Sequence, residues 1–455
     1  MNILLINPSS GTEHIRGRKE PIGLCYISSY LRKYGYNTKV IDQIKETTED
    51  IIDEIRDFKP SIIGISTMTY NYPHGLFLAQ KIKKFNKQIR IIFGGVHASL
   101  SLEIIKEDSI DFIVIGEGEL TTLELVKALE LKTYDFEKIK GICFYHDGNI
   151  IKTPPRERIL NLNQLPFPDR SNLPITEYKG KGLRYLFRRR IGTIHTSRGC
   201  MGNCTFCTTP ILYKGGWISR DANNIVDEIK ELVEVYKVKT IFFADEDFLK
   251  DVKRVHEICD QLIRRRIIIA WFCFSKITDI NAQLLRKMRR AGCFNIMIGI
   301  EAMHNDSLKK IAKRITVQEI ISSLKIAYES RIIVSGTYML GYPWETHEMM
   351  MEGIKGLRKL PLHFIYLNFI TPFPGTPFYR ECIRNDNIIE YDFKYYDCHN
   401  PIVAGSLTKN IDYIKFRRKL QNKLNFRISY FIRSIDFTIY LYLKYFINIF
   451  IQSKK

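Results

Sequence analysis

Three cysteines lie close together in the run Thr-Ser-Arg-Gly-Cys-Met-Gly-Asn-Cys-Thr-Phe-Cys, at Cys200, Cys204 and Cys207. Thiolates at this C-x3-C-x2-C spacing on one short loop can ligate three corners of a [4Fe–4S] cluster. The fourth iron then has no protein ligand within the motif, so a small molecule can bind there and accept an electron. The spacing therefore predicts redox radical chemistry, with these cysteines as the metal ligands and catalytic residues.

A zinc knuckle is the alternative interpretation of the same loop. Zinc prefers four ligands in a tetrahedron, so a fourth Cys or His would have to complete the site. The nearest histidines in the sequence, His195 and His256, do not follow a recognisable zinc-finger spacing. The small residues between the cysteines, with Phe206 placed to shield one side, favour the iron–sulfur cluster.

Length and composition limit the class of protein. At 455 residues the chain exceeds what one hydrophobic core usually organises, which predicts two or three domains. The amino-terminal segment lacks the basic flank and the small-residue cleavage site of a signal peptide. Ten cysteines without an export signal predict a reducing, cytoplasmic location.

The net charge of +20 is large enough to serve a nucleic acid partner. Such a partner is disfavoured, because no recognisable RNA-binding module accompanies the charge. The charge is also uneven, with eleven Lys and Arg residues against two Asp between residues 409 and 455.

Residues 1–140 alternate short apolar runs with amphipathic segments, which predicts an α/β fold with a doubly wound, parallel, Rossmann-like sheet. Helices are expected, among others, at Leu102–Glu107 and Thr121–Leu131. Such sheets bind ligands at the carboxyl ends of their strands. The segments expected there are small and polar: Pro8-Ser9-Ser10, Ser66-Thr67-Met68-Thr69, Gly94-Gly95-Val96-His97 and Gly116-Glu117-Gly118-Glu119.

Residues 141–190 are interpreted as a linker that contains a hairpin with its turn at Asp147-Gly148. Residues 191–390 form a second strand–helix series of six units, whose first strand is expected at Ile194–Thr196. Six units predict a partial (β/α)6 barrel of the TIM type, with chemistry on the loops that follow the strands. The cysteine loop follows the first strand of this series.

Residues 391–455 are predicted to form a small helical region, with a basic helix at Lys409–Asn425 and a strongly apolar segment at Ile435–Gln452. On a helix, one narrow polar stripe results from Asp436, Tyr440, Lys444, Asn448 and Gln452. The apolar run is shorter than the ~20 residues of a membrane span. Two arrangements stay open: the helix lies in a membrane interface, or it packs on the body of the protein.

From Gly192 to Phe378 the sequence resembles the radical S-adenosylmethionine (SAM) superfamily. Besides the cysteine loop, the matching stretches are Ala244-Asp245-Glu246-Asp247, Ile298-Gly299-Ile300-Glu301 and the segment from Gly336 to Thr346, in which Trp344 replaces a more usual small residue. The resemblance implies that the open iron chelates SAM and that reduction releases a 5′-deoxyadenosyl radical. It also implies a set of SAM-binding residues: Asp245, Glu246, Glu301, Gly336 and Gly341.

The first 135 residues resemble the cobalamin-binding domain that is fused to one radical SAM subclass. The motifs that carry this resemblance are Pro21-Ile22-Gly23-Leu24, Gly94-Gly95-Val96-His97-Ala98, Gly116-Glu117-Gly118-Glu119 and, in the linker, Leu165-Pro166-Phe167-Pro168. The resemblance implies a corrin site lined by Thr67, Met68, Gly94, Gly95, His97, Gly116 and Gly118. The D-x-H-x-x-G motif of many cobalamin proteins is absent, which implies a cobalt without a histidine lower ligand.

Together these resemblances imply a cobalamin-dependent methyltransferase that acts on an unactivated carbon or phosphorus of a small-molecule, peptide or lipid substrate. The alternatives are a non-methylating cyclase or oxidoreductase with the same cofactors, and a membrane-associated enzyme that modifies a lipid or isoprenoid. A flavodoxin or ferredoxin is the expected electron donor, because such donors are acidic and this chain is basic. Peripheral contact of the C-terminal helix with the inner face of the membrane is an open option.

Overall fold

The computed structural model describes residues 1–9, 19–178, 190–405 and 412–425. Beyond residue 425 it describes seven residues with helical backbone: Ile428, Ile432, Ile435, Asp436, Ile439, Tyr440 and Leu443. Lys409 of the predicted basic helix lies outside the described residues, as do three members of the predicted polar stripe: Lys444, Asn448 and Gln452. Within the described part, no helix has both the length and the apolar character needed to cross a bilayer.

Seven strands form the first sheet, in the order β2-β1-β3-β4-β5-β6-β7. Their bounds are β1 (Asn2–Asn7), β2 (Asn37–Asp42), β3 (Ile62–Ser66), β4 (Arg90–Gly94), β5 (Phe112–Val114), β6 (Ile142–His146) and β7 (Asn149–Lys152). Strands β1 to β5 are parallel, which confirms the predicted doubly wound core. The strand order reverses between β1 and β3, so the crevice for a ligand opens at the carboxyl ends of these strands.

Helices cover both faces of this sheet, and their bounds are α1 (Ile22–Lys33), α2 (Thr48–Phe58), α3 (Tyr72–Phe85), α4 (Gly95–Leu100) and α5 (Gly118–Leu131). The sequence did not predict α4, because two glycines at its start disfavour a helix. The predicted helix at Leu102–Glu107 is instead a short 3-10 turn, Leu102–Lys106. Helix α5 begins at Gly118, shortly after β5 ends at Val114 and three residues before the predicted start at Thr121.

The hairpin that we expected in the linker belongs to the first sheet. Strand β6 pairs antiparallel with β5, and Ile113 lies opposite Cys143. Its turn is at Asp147-Gly148 as predicted, with φ values of 47° and 80° that suit a tight hairpin turn. The first sheet is therefore mixed at this edge, and it extends past the predicted boundary at residue 140.

A second, six-stranded sheet lies in the order β15-β14-β13-β12-β11-β8, and all of its strands are parallel. Its strands, with the separate two-stranded pair β9 and β10, are β8 (Ile191–Ile194), β9 (Ser197–Gly199), β10 (Trp217–Ser219), β11 (Thr240–Phe243), β12 (Ala270–Ser275), β13 (Cys293–Glu301), β14 (Ile333–Leu340) and β15 (Phe364–Phe369). The strands follow one another in chain order, as the predicted partial barrel requires. The first strand begins three residues earlier than the predicted Ile194–Thr196.

The helices of this half are α6 (Thr209–Leu212), α7 (Ala222–Glu234), α8 (Val252–Arg264), α9 (Ala282–Arg290), α10 (Asn305–Lys310), α11 (Val317–Glu329), α12 (His347–Lys359), α13 (Pro377–Arg384) and α14 (Tyr413–Asn425). A buried ion network joins them to the first half of the chain. Arg170, which lies between the two sheets in sequence, pairs with Glu20 before α1 and with Glu228 in α7 at 2.8 Å each. All three side chains are fully buried, so this network fixes the two sheets relative to each other.

Helix α14 covers the edge of β15 with side-chain hydrogen bonds. Asn425 accepts a hydrogen bond from the Ile365 N–H at 2.7 Å and donates one to the Ile365 carbonyl at 2.8 Å. Gln421 accepts from the Leu367 N–H at 3.1 Å. These side chains replace the next strand of the sheet, since they satisfy the main-chain groups that a neighbouring strand would bind.

An Asn425→Ala protein is therefore expected to lose about 1–3 kcal/mol of unfolding free energy, because two main-chain groups of Ile365 lose their partners. Urea denaturation measures the loss. The matched control is Asn422→Ala. Asn422 is an exposed residue of the same helix, and its substitution changes helix propensity in the same way. Equal stability of the two variants would contradict the bonding role of Asn425.

Candidate active site

The cysteine loop starts at the end of β9. Gly199, the last residue of β9, has a φ of 95°, and a Cβ there would lie 2.0 Å from the Gly216 carbonyl oxygen. Only glycine allows the β9–β10 pair to close directly before Cys200. All three loop cysteines are free, partly exposed thiols.

Asp245 holds the start of this loop. Its Oδ1 accepts hydrogen bonds from the Thr196 N–H at 3.0 Å, from the Thr196 hydroxyl at 2.8 Å and from the Ser197 hydroxyl. The side chain is fully buried at the end of β11. Asp245 thus braces the strand that leads to the cysteines, while its predicted contact with SAM stays a prediction.

Two lysines flank the thiols. The Lys276 ammonium lies beside Cys200 and pairs with Asp247 at 3.3 Å. The Lys313 ammonium pairs with Glu301 at 3.2 Å and lies near enough to Cys204 to favour its thiolate. Positive charge on both sides of the loop offsets the negative charge that thiolate ligands and a cluster bring.

The three thiols are close enough to influence one another's ionisation. Burial raises the pKa of the Cys204 thiol, and the charges of Cys207 and Cys200 raise it further, while Lys313 lowers it. Burial also raises the pKa of the Cys207 thiol, while hydrogen bonds with Thr209 lower it.

In the described residues no three Cys, His, Asp or Glu side chains converge on a single ion. A [4Fe–4S] cluster takes one thiolate at each of three irons, so adjacent but separate thiols fit it.

Glu246 has one buried carboxylate oxygen, Oε2, that makes no hydrogen bond with any described residue. Burial raises its pKa to about 7, and the nearby Gly199 N–H opposes the rise. Asp247 next to it has a pKa raised to about 6 by burial and by Asp279. A buried, unpartnered oxygen beside the cysteine loop fits the amino group of SAM, which would supply the missing donor.

These raised pKa values predict that the apoprotein loses stability as the pH rises. The pKa of Glu246 is about 7 in the folded protein, against an ordinary value of 4.5. Its contribution to the free energy of unfolding is therefore complete below pH 4.5 and is lost as the pH rises through 7. At 1.36 kcal/mol per unit, the loss is at most about 3 kcal/mol. Urea unfolding between pH 5 and pH 8 is expected to show a flatter profile for Glu246→Gln than for wild type.

The control for this profile is Glu257→Gln, an exposed residue of α8. Its stability is expected to follow the wild-type pH dependence. Parallel curves for wild type and Glu246→Gln would show that this carboxyl group does not retain its proton in the folded protein.

Glu301 ends β13 in the left-handed region, with a φ of 67°. Its carboxylate lies 3.4 Å from the Thr337 hydroxyl in addition to its bond with Lys313. Gly336 lies inside the neighbouring strand β14, and Gly341 follows that strand with a φ of 80°. Glu301 and Gly341 thus lie at the carboxyl end of the second sheet. Gly336 lies in the middle of β14, where a Cβ would come within 2.6 Å of the buried Ile300 side chain. The contacts of these residues with SAM stay predictions.

Trp344, the unusual residue in the segment from Gly336 to Thr346, has room in this structure. Trp344 stacks on Tyr342 with ring centroids 5.0 Å apart, and its indole N–H donates to the Ser307 hydroxyl at 3.1 Å. The loop after β14 is therefore held by the tryptophan itself.

A cavity of about 180 Å³ lies between the first sheet and the start of the cysteine loop. Its wall from the first sheet is apolar and comes from one face of the strands: Ile3, Leu5, Ile62, Ile92 and Val114. Four of the predicted corrin-site residues line it: Gly94, Gly95, Gly116 and Gly118. The opposite wall contains His195, Arg198 and Tyr213, which flank the cysteines in sequence.

The other predicted corrin-site residues, Thr67, Met68 and His97, do not line this cavity. His97 is buried between Tyr72 and Phe393, with ring centroids 4.3 and 4.9 Å away. Burial lowers its pKa to about 4, so the ring is neutral. The contacts of these three residues with cobalamin stay predictions.

Thr67 has a backbone role at the rim of the first sheet. Its N–H donates to the Gly94 carbonyl at 2.9 Å, and its carbonyl accepts from the His97 N–H at 3.0 Å. Gly95 has a φ of 86°, and a Cβ there would lie 2.7 Å from the Thr67 carbonyl oxygen. Glycine thus lets the segments after β3 and β4 meet at this rim. A glycine rim over an apolar wall fits a large, flat cofactor with an apolar face.

Arg198 joins the two halves of the site. From β9 its guanidinium pairs with Glu117 at 2.9 Å and with Glu119 at 2.5 Å, both in the segment after β5. The three side chains are at most 11% exposed. No sequence pattern marks Arg198, Lys276 and Lys313 as site residues, because each acts on a partner that is remote in sequence.

Comparison with known proteins agrees with this geometry. Residues 11–126 match the family model of the B12 binding domain, and residues 194–356 match that of the radical SAM superfamily. The chain is 30% identical to an uncharacterized methyltransferase of Pyrococcus horikoshii over 410 residues, which cover 89% of this chain and 88% of that protein. It is 28% identical to the anaerobic magnesium-protoporphyrin IX monomethyl ester cyclase of Rubrivivax gelatinosus, over 89% of this chain and 73% of the cyclase.

Among solved structures, the cobalamin-dependent SAM radical enzyme OxsB has the same fold. The two structures superpose with a TM-score of 0.75 at 19% sequence identity, over 89% of this chain and 64% of the OxsB chain. The chain therefore belongs to the family of radical SAM enzymes with an amino-terminal B12-binding domain. The family's cofactors are a [4Fe–4S] cluster, SAM and cobalamin. The three thiols fit the cluster, and four of the predicted corrin-site glycines line the cavity.

Proposed function

We propose that this enzyme is a cobalamin-dependent radical SAM methyltransferase that methylates an unactivated carbon or phosphorus of a small molecule. The observation that carries the proposal is the shared cavity. One wall comes from the B12-binding half, and the other from residues that flank the cluster cysteines. Two cofactors bound on these walls would meet one substrate in the same space, which is catalysis by positioning.

In this proposal each group of side chains has a separate task. Cys200, Cys204 and Cys207 hold the cluster, and the two flanking lysines offset its charge. Glu246 and Glu301 orient SAM, and Gly341 lies beside its nucleoside.

The bound cofactors supply a carbon-centred radical that can remove hydrogen from unactivated carbon, and a methyl group to replace it. The chain's own contribution is to keep water away from that space. The apolar wall of Ile3, Leu5, Ile62, Ile92 and Val114 does so from the B12-binding side.

The second candidate function is a non-methylating radical reaction with the same cofactors. The similarity to the magnesium-protoporphyrin IX monomethyl ester cyclase over 89% of this chain favours it. The SAM-derived products distinguish the two functions. A methyltransferase of this kind releases 5′-deoxyadenosine and S-adenosylhomocysteine in equal amounts, whereas a cyclase releases 5′-deoxyadenosine alone.

The test uses anaerobically reconstituted protein, a reductant, SAM and a small-molecule extract of the source cells. Chromatography measures both SAM-derived products, and SAM with a deuterated methyl group marks any methylated metabolite. Equal product amounts with a labelled metabolite are expected. Substrate-dependent 5′-deoxyadenosine without S-adenosylhomocysteine would overturn methyl transfer and support the cyclase.

We infer further that the enzyme works in the reducing cytosol and takes its electron from an acidic flavodoxin or ferredoxin. The net charge of +20 supports this partner, since opposite charge speeds encounter. Reduction of the cluster by flavodoxin is expected to slow as salt rises. A rate independent of salt would argue against charge-guided docking.

A further inference from the structure

The described residues at the C-terminal end of the chain form an exposed apolar stripe. Its members share helical backbone and side chains that are 53% to 74% exposed: Ile428, Ile432, Ile435, Ile439 and Leu443. Spacings of three and four residues place them within an arc of about 80° on a helix. Single exposed aliphatic residues are ordinary, but five on one helical face mark an interaction surface.

The two polar residues described in the same segment, Asp436 and Tyr440, contact the body of the protein instead. Asp436 pairs with Arg289 of α9 at 2.8 Å. The Tyr440 hydroxyl donates to the Arg290 carbonyl at 3.4 Å, and the Arg289 guanidinium lies 5.3 Å from the Tyr440 ring centroid. Of the two arrangements considered from sequence, packing on the body accounts for Asp436 and Tyr440, but it leaves the apolar stripe outside.

Exposed basic side chains lie on α9, the helix to which this segment docks. Arg286 and Arg290 on α9 are exposed, as is Arg331, whose carbonyl accepts from the Arg289 guanidinium at 2.9 Å. The sequence between residues 409 and 455 adds eleven Lys and Arg against two Asp. An apolar stripe with basic neighbours is complementary to a surface with negative headgroups above hydrocarbon.

We propose that the stripe from Ile428 to Leu443 docks this enzyme on an anionic phospholipid membrane. The aliphatic side chains enter the boundary between headgroups and acyl chains, and the exposed Arg286 and Arg290 of α9 lie over the phosphates. A second copy of the chain fits this surface less well, because pairing the stripes would bring two sets of arginines together. The proposal is independent of the reaction that the enzyme catalyses.

Flotation with full-length protein tests the docking. Vesicles of phosphatidylcholine with phosphatidylglycerol are compared with vesicles of phosphatidylcholine alone. Wild type is expected to float with the anionic vesicles. An Ile432→Glu/Ile439→Glu protein is expected to bind these vesicles with an affinity at least about tenfold lower, because two aliphatic side chains that would be buried in the membrane are lost. The matched control is Leu131→Glu/Leu160→Glu, which alters two residues that are 70% and 77% exposed elsewhere.

A second variant keeps the stripe and changes the charge. Arg286→Gln/Arg290→Gln is expected to lower affinity for anionic vesicles by about fivefold per arginine, with little effect on neutral ones. Sedimentation of each protein without vesicles reports self-association. Wild type that stays off anionic vesicles would overturn the proposal, as would equal flotation of the stripe and control variants. If wild type is a dimer and the Ile432→Glu/Ile439→Glu protein is a monomer, the surface would instead bind a second copy of the chain.

Discussion

A Cys204→Ala protein is expected to lose SAM cleavage completely after anaerobic reconstitution. The cluster would have only Cys200 and Cys207 left as ligands in the loop, and two thiolates do not hold the three irons that the motif serves. Iron and sulfide content after reconstitution measures the loss of the cluster. Formation of 5′-deoxyadenosine after reduction measures the loss of activity.

The control is Cys382→Ala, which removes a buried thiol on α13. That protein is expected to bind four irons and to cleave SAM like wild type. A Cys204→Ala protein that still cleaves SAM would refute the cluster assignment. A Cys382→Ala protein that also loses iron would show only that cysteine removal damages the fold.

The second large effect is expected from Arg198→Ala, which leaves two carboxylates without their cation. Glu117 is 11% and Glu119 4% exposed, so neither can regain full hydration. Removing one partner of a buried ion pair costs about 3–5 kcal/mol. Because Arg198 also lines the cavity, the protein is expected to retain less cobalamin after gel filtration.

Two further variants separate charge from packing. Arg198→Ala/Glu119→Gln is expected to regain part of the lost stability, since one unpaired charge is removed. Arg90→Ala breaks the pair with Asp111, in which the arginine is 51% exposed, and is expected to cost about 1 kcal/mol or less. Equal losses for Arg198→Ala and Arg90→Ala would contradict a bridging role for Arg198.

Local patterns made the fold predictable. The parallel strands are continuous runs of buried aliphatic residues, such as Ile3–Ile6, and a run of that kind is readable without tertiary contacts. The hairpin turn at Asp147-Gly148 was equally local. The strand with which this hairpin pairs was not predictable from local sequence, because pairing of Ile113 with Cys143 depends on which sheet edge is free. Helix α4 was missed because its tertiary setting overrides the weak helix propensity of Gly94 and Gly95.

The same distinction between local patterns and long-range contacts applies to the site. The three cysteines are close in sequence, so their spacing alone predicted a cluster. Arg198 and Glu119 are 79 residues apart, and no sequence pattern links a β9 arginine to the segment after β5. Asp245 was predicted as a SAM-binding residue, and that contact stays a prediction. The hydrogen bonds of its Oδ1 to Thr196 and Ser197 follow from the fold and not from its motif.

In the proposed enzyme the cluster and cobalamin face the same space between the two sheets, and a magnetic measurement tests this arrangement without the substrate. Full-length protein is reconstituted with iron, sulfide and cobalamin and reduced until cob(II)alamin and the reduced cluster are both paramagnetic. Electron paramagnetic resonance is expected to show coupling between the two spins, which disappears in Cys204→Ala. Two independent, uncoupled signals in the wild-type protein would contradict the shared cavity.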